Sequence, residues 1–387
     1  MREVAIIGVG LTRFGERWEH GLRDLMAEAG LNALNDANIE SKDIEMLYGG
    51  IMASGRFVGQ EHIAALLADQ LGFKNVPAVR VENACASGGT ALREGYITVA
   101  SGIHDIVAVG GVEKMTDVTT SEATTALGGA GDQEWELAQG ITFPGLYALM
   151  ARRHMHEYGT TEEQMAAVAV KNHKNAVKNK YAQFKKEITI EDVMKSKPVA
   201  DPLKVFDCSP ISDGAAAIIL APLEMARKYN DTPIKIIAST QATDTLSLAE
   251  RETLTALKAT RIAGEKAYAQ AKLKPKDIDV IEVHDCFTIA EILSMEDLGF
   301  YKKGKAAKAI ADGETALNSS LSVNTSGGLK GCGHPVGATG VKQAVEVAMQ
   351  LRGEAGDRQV NGAEIGMTHN VGGSGATAVV HIMKRAN

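Results

Sequence analysis

An internal repeat constrains the fold of this 387-residue chain more than any other feature of its sequence. The segment that begins at Ala29 aligns without a gap with the segment that begins at Ala263. In both, an alanine-rich helical stretch leads through a short polar link into an apolar strand, and residues such as Lys42 and Lys276 recur at matching positions. The repeat therefore predicts two structurally related halves.

A second pair of segments supports the duplication. The segment CASGGTALREGYITVASG begins at Cys85 and aligns with HPVGATGVKQAVEVAMQL, which begins at His334. Each is a turn of small residues followed by a helix that is predicted to be buried along its length. Because strands alternate with helices in both halves, the sequence predicts mixed α/β layers with largely buried sheets. We expect one half to comprise residues 1–117 and 205–230, and the other half residues 233–387.

Residues 118–204 have no counterpart in the second half and are predicted to form an inserted domain. The insert is rich in lysine toward its end, including Lys171, Lys174, Lys178 and Lys180. These lysines could cover a solvated helix face, or the insert could be a lid whose positive field attracts a phosphate-bearing ligand. In the second case, replacing several of them should weaken ligand binding in a salt-dependent way.

Composition argues against several classes of protein. A formal net charge of -7 disfavours a nucleic-acid-binding protein. The four cysteines include no CxxC pair, so reduced thiols in the cytoplasm are predicted rather than a zinc ribbon or a disulfide framework. The apolar run from Val4 to Leu11 suits a buried strand and is too short for a membrane span. Arg13 stands where a dinucleotide-binding fingerprint needs its third glycine, so that cofactor is not expected.

Cys85 is the first candidate for a reactive group. It lies where an extended segment turns into a helix, and the unpaired N–H groups of a helix N-terminus lower the pKa of a thiol. The same N–H groups could stabilise the oxyanion that forms when the sulfur attacks a carbonyl carbon. The alternative is a small buried hydrophobic residue, which is a common environment for free cysteine.

His334 favours the reactive interpretation of Cys85. Its loop, GGLKGCGHPVGATG at residues 327–340, is rich in glycine and would let the backbone approach a ligand closely. The repeat places His334 where the first half has Cys85, so approximate two-fold symmetry would bring the two helix N-termini together. A histidine beside a cysteine can activate it as a thiolate nucleophile. An unrelated surface histidine is the alternative.

His284 and Cys286 lie two residues apart where an apolar strand of the second half ends. Acid–base catalysis is the favoured interpretation, and a buried non-catalytic pair is the alternative. A zinc site that also used Cys85 and His334 is chemically sensible, but structural zinc sites use tight local pairs, so no metal is predicted. Gly372, in a later glycine-rich turn, could supply a second oxyanion-hole N–H group or could serve the turn alone.

Taken together and in order, these motifs resemble those of the thiolase family nearly end to end. The matching segments are NACASGG around Cys85, GGVEKM at 110–115, SDGAAAIIL at 212–220, HDCF at 284–287, and NTSGG followed by GHPVGATG within 324–340. The resemblance implies the five-layered αβαβα fold, with the insert as a loop domain that covers coenzyme A (CoA), and an assembly of two or four subunits. CoA thioesters would be the substrates, and no cofactor is implied.

Candidate substrate-binding residues follow from the same segments. The NTSGG segment contributes Asn324, Gly327 and Gly328, and the lysine-rich insert contributes Lys171 and Lys174. We expect these five residues to contact the bound thioester.

The HDCF form resembles that of sterol-carrier-protein-type thiolases and archaeal acetoacetyl-CoA thiolases. Many thiolases carry a second catalytic cysteine where this chain has Asn370, and in the HDCF type Cys286 takes over its acid/base role. The resemblance implies that Cys85, helped by His334, accepts an acetyl group from acetyl-CoA, and that Cys286 removes an α-proton from a second acetyl-CoA to give acetoacetyl-CoA. His334 and His284 would hold the enolate oxygen.

The resemblance also implies partners. The archaeal enzymes associate with hydroxymethylglutaryl-CoA synthase of the mevalonate pathway and with a small OB-fold bridging protein. Related condensing enzymes, such as ketoacyl synthases, lack the HDCF cysteine in combination with GHPVGATG and rank lower. A degradative 3-ketoacyl-CoA thiolase and a non-catalytic acyl-CoA-binding subunit remain as alternatives, although retention of all four candidate groups argues against the subunit. No nucleic acid or membrane partner is expected.

Overall fold

The duplication is visible in the order of the strands. The computed structural model describes residues 1–386. Its strands are β1 (Val4–Leu11), β2 (Met46–Gly50), β3 (Ala78–Val81), β4 (Val107–Glu113), β5 (Pro198–Ala200), β6 (Leu203–Lys204), β7 (Gly214–Pro222), β8 (Ile234–Thr243), β9 (Val280–Glu282), β10 (Ser322–Val323), β11 (Ile365–Gly372) and β12 (Thr377–Arg385). The first half runs β1-β7-β4-β2-β3 and the second runs β8-β12-β11-β9-β10, with β1 hydrogen-bonded to β8. The predicted pair of related halves is confirmed by this matching order.

The helices arrange these strands into layers. They are α1 (Leu22–Asp36), α2 (Ser54–Phe57), α3 (Ile63–Gln70), α4 (Ser87–Ser101), α5 (Thr120–Gly128), α6 (Phe143–Tyr158), α7 (Glu162–Val177), α8 (Ile190–Lys195), α9 (Leu223–Ala226), α10 (Lys258–Ala271), α11 (Thr288–Asp297), α12 (Ala306–Ala311), α13 (Gly328–Cys332) and α14 (Thr339–Arg352). Helices α1 and α3 cover the outside of the first half, and α10 covers the outside of the second. Helices α4 and α14 lie between the halves and contact strands of both. The predicted five-layered αβαβα fold is therefore confirmed.

The two central helices begin in direct contact, as the repeat predicts for equivalent N-termini. A Cβ atom on Gly88 would lie 2.6 Å from the carbonyl oxygen of Gly337, and one on Gly340 would lie 2.1 Å from the backbone nitrogen of Gly89. A side-chain carbon cannot approach these atoms so closely, so only glycine allows this crossing. The approach brings the segment before α4, with Cys85, next to the loop before α14, with His334.

The segment between β4 and β6 packs mainly on the second half. Its helices α6 and α7 contact α11, and α7 also contacts α12 and α13. Buried residues of α6 such as Leu146 and Met150 share a hydrophobic cluster with Ile281 of β9 and Leu293 of α11. This segment thus closes over the end of the second half's sheet. Within residues 1–386, no helix has both the length and the apolar character needed to cross a bilayer.

Candidate active site

Cys85 lies in a tight turn at the start of α4. Ala84 has a φ of 51°, in the left-handed region that L-residues seldom occupy, and it persists because hydrogen bonds surround the turn. The hydroxyl of Ser87 accepts a hydrogen bond from the backbone N–H of Asn83 at 2.9 Å and donates one to the carbonyl of Ala84 at 2.6 Å. The turn presents the half-buried Cys85 to a cavity of about 360 Å³.

Three of the four predicted catalytic side chains are grouped beside this cavity, and the fourth, Cys286, lines it. The Sγ atom of Cys85 and one ring nitrogen each of His284 and His334 all lie within 4.8 Å of one another. The centroids of the two imidazole rings are 5.1 Å apart. Cys85, Cys286 and His334 line the cavity directly. These three atoms could also hold a metal ion. The hydrogen bonds of the two imidazole rings show which ring nitrogens carry hydrogen, and this distinguishes a metal site from a group of proton donors and acceptors.

His334 is held as a base by its own hydrogen bonds. Its Nδ1 lies 2.7 Å from the hydroxyl of Thr339, which donates its hydrogen to the carbonyl of Pro335 at 3.0 Å. When the hydroxyl hydrogen goes to Pro335, Nδ1 donates to Thr339, which leaves Nε2 without hydrogen and able to accept a proton. Burial, with the positive charge of Lys342, lowers the pKa of His334 to about 3 and keeps the ring neutral.

Two further residues hold the His334 loop in place. The backbone N–H of His334 donates to the hydroxyl of Ser212 at 3.0 Å. The carboxylate of Glu113 accepts from the N–H of Gly337 at 3.1 Å and from that of Met52 at 2.9 Å. Ser212 and Glu113 belong to the SDGAAAIIL and GGVEKM segments, so both motifs act by joining the first half to the loop of the second.

His284 presents the opposite tautomer. Asn370 is oriented by its Oδ1, which accepts from the N–H of Gly89 at 3.1 Å, so its Nδ2 donates to the carbonyl of Cys85 at 3.0 Å and to Nδ1 of His284 at 3.2 Å. The hydrogen of His284 is then on Nε2, which is buried and has no partner within residues 1–386. Burial, with His334 and His369 nearby, lowers the pKa of His284 well below its usual value. A buried, unpartnered N–H suits a developing oxyanion, whereas a nitrogen that carries hydrogen cannot bind a metal.

The pKa of Cys85 differs from the expectation based on the helix N-terminus. Burial raises this pKa to about 12, although the N–H of Gly373 donates to the sulfur and opposes the shift. Helix α4 begins at Ser87, two residues later, and the loss of solvation outweighs the local dipole. A pKa this high favours the neutral thiol of Cys85 near neutral pH.

The backbone donor at the Cys85 sulfur is the N–H of Gly373. Gly373 lines the cavity, whereas a Cβ atom on Gly372 would lie 2.7 Å from the carbonyl oxygen of Asn83. Gly372 is the last residue of β11 and is paired with Thr377, so the free backbone begins one residue later. The role expected of Gly372 concerns the thioester oxygen rather than the sulfur, so Gly372 as an oxyanion-hole donor stays a prediction.

Tyr147 is a site residue that sequence reasoning missed. Its hydroxyl donates to the carbonyl of Gly373 at 3.2 Å and lies beside the thiol of Cys286. Burial raises the pKa of Cys286 well above its usual value, and the contact with Tyr147 opposes the shift. A single tyrosine within the amphipathic pattern of α6 carries no sequence signal of such a role.

Three predicted substrate-binding residues serve packing instead. The amide of Asn324 accepts from the N–H of Val283 at 2.9 Å and donates to Glu291 at 2.8 Å, so both of its polar atoms are occupied. Cβ atoms on Gly327 and Gly328 would lie 2.6 Å from Ala176 and 2.3 Å from Asp285. Neither these glycines nor Asn324 line the cavity. The NTSGG segment therefore seats α7 and Asp285, and the cavity lining gives no support to the prediction that it contacts substrate.

Lys171, predicted to bind substrate, is paired with a buried carboxylate. Its Nζ lies 2.5 Å from Glu291 Oε1, and the side chains are only 10% and 0% exposed. Lys171 is thus committed to a buried ion pair and cannot face a phosphate. Lys174 is exposed and does not line the cavity, whereas Lys330, which was not predicted, does. Lys330 lies inside the glycine-rich motif, and its position there was the available signal.

Family models match almost the whole chain. The thiolase N-terminal domain matches residues 4–224, and the thiolase C-terminal domain-like family matches residues 240–385. An acetyl-CoA acetyltransferase of Methanothermobacter thermautotrophicus is 58% identical over 385 residues, which is 100% of both chains. An acetyl-CoA acetyltransferase of Methanocaldococcus jannaschii is 52% identical over 99% of both chains. Human sterol carrier protein 2 is 36% identical over 98% of this chain and 71% of its own length.

Solved structures agree on the fold. The structure titled Ltp2-ChsH2(DUF35) aldolase superimposes with a TM-score of 0.86 at 27% identity, over 99% of this chain and 98% of its own. An acetyl-CoA acetyltransferase from Syntrophomonas wolfei superimposes with a TM-score of 0.77 at 19% identity over 100% of both chains. With both domain models matched and full-length relatives above half identity, the chain belongs to the thiolase family of acyl-transferring enzymes.

Proposed function

We propose that this protein is an acetoacetyl-CoA thiolase, which joins two molecules of acetyl-CoA into acetoacetyl-CoA and CoA and also catalyses the reverse thiolysis. The observation that carries this proposal is the grouping of Cys85, His284 and His334 within 4.8 Å, beside a cavity that Cys286 also lines. The names of the two archaeal relatives support acetyl as the acyl group.

In the first half-reaction, His334 Nε2 takes the proton of the Cys85 thiol, and the sulfur attacks the carbonyl carbon of acetyl-CoA. The N–H groups of Cys85 and Gly372, the pair expected from the sequence, would hold the oxyanion, and each such donor is typically worth about 3–4 kcal/mol. When the tetrahedral intermediate collapses, the bond between the acetyl carbon and the CoA sulfur breaks. The thiol of Cys286, which lines the same cavity, then protonates the departing CoA thiolate.

In the second half-reaction, the Cys286 thiolate takes an α-proton from a second acetyl-CoA. The protonated Nε2 of His334 and the Nε2–H of His284 hold the enolate oxygen, as their tautomers allow. The α-carbon then attacks the acetyl group on Cys85, the bond to the Cys85 sulfur breaks, and His334 returns its proton to that sulfur. Each proton taken is given back, so the site is restored after one turnover.

We also propose that residues 118–204 form a loop domain that covers CoA, between halves made of 1–117 with 205–230 and of 233–387. Phe143 and Phe184 of this segment line the cavity, which supports a role in enclosing the substrate. CoA thioesters would be the only small molecules required.

The finer biological setting is proposed on family resemblance. We infer a cytoplasmic homodimer or homotetramer that feeds the mevalonate pathway together with hydroxymethylglutaryl-CoA synthase and an OB-fold bridging protein. Co-purification at native concentration should recover these partners, and a protein that runs alone would contradict them.

The chemistry is tested by mass spectrometry after incubation with acetyl-CoA. We expect an acetyl group on the Cys85 peptide that disappears when CoA is added. Cys286→Ala should keep this acetylation, at a lower rate, and lose condensation, whereas Cys332→Ala, which removes a buried thiol outside the cavity lining, should keep both. Absence of an adduct when substrate binds would favour a non-catalytic acyl-CoA-binding subunit. Faster turnover of longer 3-ketoacyl chains would favour a degradative thiolase.

A further inference from the structure

Lys330 is a buried cation that lacks a partner. Three lysines rank among the largest fully buried side chains, namely Lys114, Lys330 and Lys342. Lys114 lies 2.8 Å from Asp213, and Lys342 lies 2.9 Å from Glu282. Within residues 1–386, Lys330 Nζ makes neither an ion pair nor a hydrogen bond; only its backbone N–H is bonded, to Asp285 at 3.2 Å. Its ammonium group is therefore available to a ligand.

The surroundings hold Lys330 at the wall of the cavity. Its Nζ lies 5.6 Å from the ring centroid of Phe184 and 5.7 Å from that of Phe206, and all three residues line the cavity. Two aromatic faces attract a cation but do not replace its lost hydrogen bonds. Burial accordingly lowers the pKa of Lys330 to about 8.

The nearby carboxylates are already occupied. Asp285 accepts from the N–H of Leu329 at 2.6 Å and from the amide of Asn172 at 2.6 Å. Asp207 accepts from the hydroxyl of Thr288 at 2.8 Å and from the N–H of Lys204 at 2.9 Å. Both act on Lys330 only through their charge.

Lys330 and Cys85 line the same cavity but act on different groups. The charge of Lys330 acts on Cys208 and His173, whereas the charges that act on Cys85 are those of Glu113 and Glu82. The hydrogen-bonding groups of acetyl-CoA nearest to its thioester are those of the pantetheine arm. With the thioester at Cys85, this arm is the part of the substrate that Lys330 would meet in the cavity.

We propose that Lys330 Nζ donates a hydrogen bond to an amide carbonyl oxygen of the pantetheine arm and so positions the thioester carbon at Cys85. This inference rests on the proposed function. A neutral carbonyl oxygen suits a single ammonium group in a cavity whose other walls are largely apolar, including Val199, Val205 and Phe206. A phosphate would need more than one donor and is not expected here.

The test compares Lys330→Met with the unmodified protein on three acetyl thioesters: acetyl-CoA, S-acetylpantetheine and S-acetylethanethiol, which has no amide. The rate of Cys85 acetylation per unit concentration should fall about 10- to 100-fold for the first two, as for loss of a charge-assisted hydrogen bond, and should not change for the third. An equal loss on all three, or a loss on acetyl-CoA alone, would overturn the proposal. Lys330→Arg keeps the charge and should recover part of the rate.

A second measurement needs no variant. In the unmodified protein, the preference for S-acetylpantetheine over S-acetylethanethiol should fall as the pH rises through about 8, because the ammonium loses its proton. The titratable groups around it are Cys208, Asp207, Asp285 and His173. Their effect on the acetylation step is the same for both thioesters and cancels in the ratio of the two acetylation rates. A constant ratio would contradict the proposal. If no thioester acetylates Cys85, the proposed function fails, whereas normal acetylation with an unaffected Lys330→Met variant removes only this inference.

Discussion

Asn370 donates a hydrogen bond from Nδ2 to Nδ1 of His284 at 3.2 Å, and this contact determines which nitrogen of the ring carries hydrogen. The same amide group holds the carbonyl of Cys85 and the N–H of Gly89. One side chain on β11 thus aligns the nucleophile, its helix and the oxyanion donor. An amide suits this position because it accepts from Gly89 and donates to both Cys85 and His284.

Asn370→Asp should lower kcat by about 10²–10³-fold, the typical effect of losing one oxyanion-hole donor. A carboxylate still accepts from Gly89 but cannot donate to His284, so the ring hydrogen should move from Nε2 to Nδ1. The ¹⁵N chemical shifts of the His284 ring would report the tautomer directly. An unchanged tautomer with full activity would contradict the role assigned to Asn370.

Tyr147→Phe should slow condensation about 10-fold and slow the exchange of acetyl between acetyl-CoA and CoA by a smaller factor. The hydroxyl contacts Cys286, and its loss should raise the pKa of that thiol further and weaken mainly the second half-reaction. Tyr268→Phe is a matched control, because its hydroxyl also donates to a backbone carbonyl, that of Leu298 at 3.0 Å, but lies outside the cavity lining. Equal losses in both reactions would assign Tyr147 to packing.

Alkylation of Cys85 by iodoacetamide should accelerate about tenfold per pH unit between about pH 7 and 9 in the ligand-free protein. The reason is that burial raises the pKa of Cys85 to about 12, so the reactive thiolate is a small fraction that grows with pH. Peptide mass spectrometry would follow Cys85 separately from the other cysteines. A rate that is already constant near neutral pH would instead indicate a stable thiolate–imidazolium pair with His334.

Lys171→Ala should lower the free energy of unfolding by about 3–5 kcal/mol, because it leaves the carboxylate of Glu291 buried without its partner. Urea unfolding would measure this loss. Joint replacement of the exposed Lys174, Lys178 and Lys180 by alanine is the control and should change stability little. Calorimetric titration of that triple variant with CoA at low and high salt would show whether these lysines attract phosphate; an unchanged affinity would assign them to the solvated face.

Structural features that depend on neighbouring residues, or on the internal repeat, were predictable from the sequence. The repeat indicated the paired order of strands, and small residues at Gly88 and Gly337 indicated that two helix starts meet. The same reasoning brought Cys85 and His334 together without any coordinate. Errors came where a residue's partner lies far along the chain: Lys171 looked free because Glu291 is 120 residues away.

The family, the five-layered fold and the identity of the four clustered side chains can thus be read from the amino-acid order alone, because glycine spacing and hydrophobic pattern act on neighbouring residues. The protonation states of those side chains cannot be read from the amino-acid order. Burial from both halves raises the pKa of Cys85 against the local effect of its helix, and Asn370, 285 residues from Cys85, sets the tautomer of His284. Solvation and hydrogen bonding depend on everything that surrounds an atom, and that environment exists only once the chain has folded.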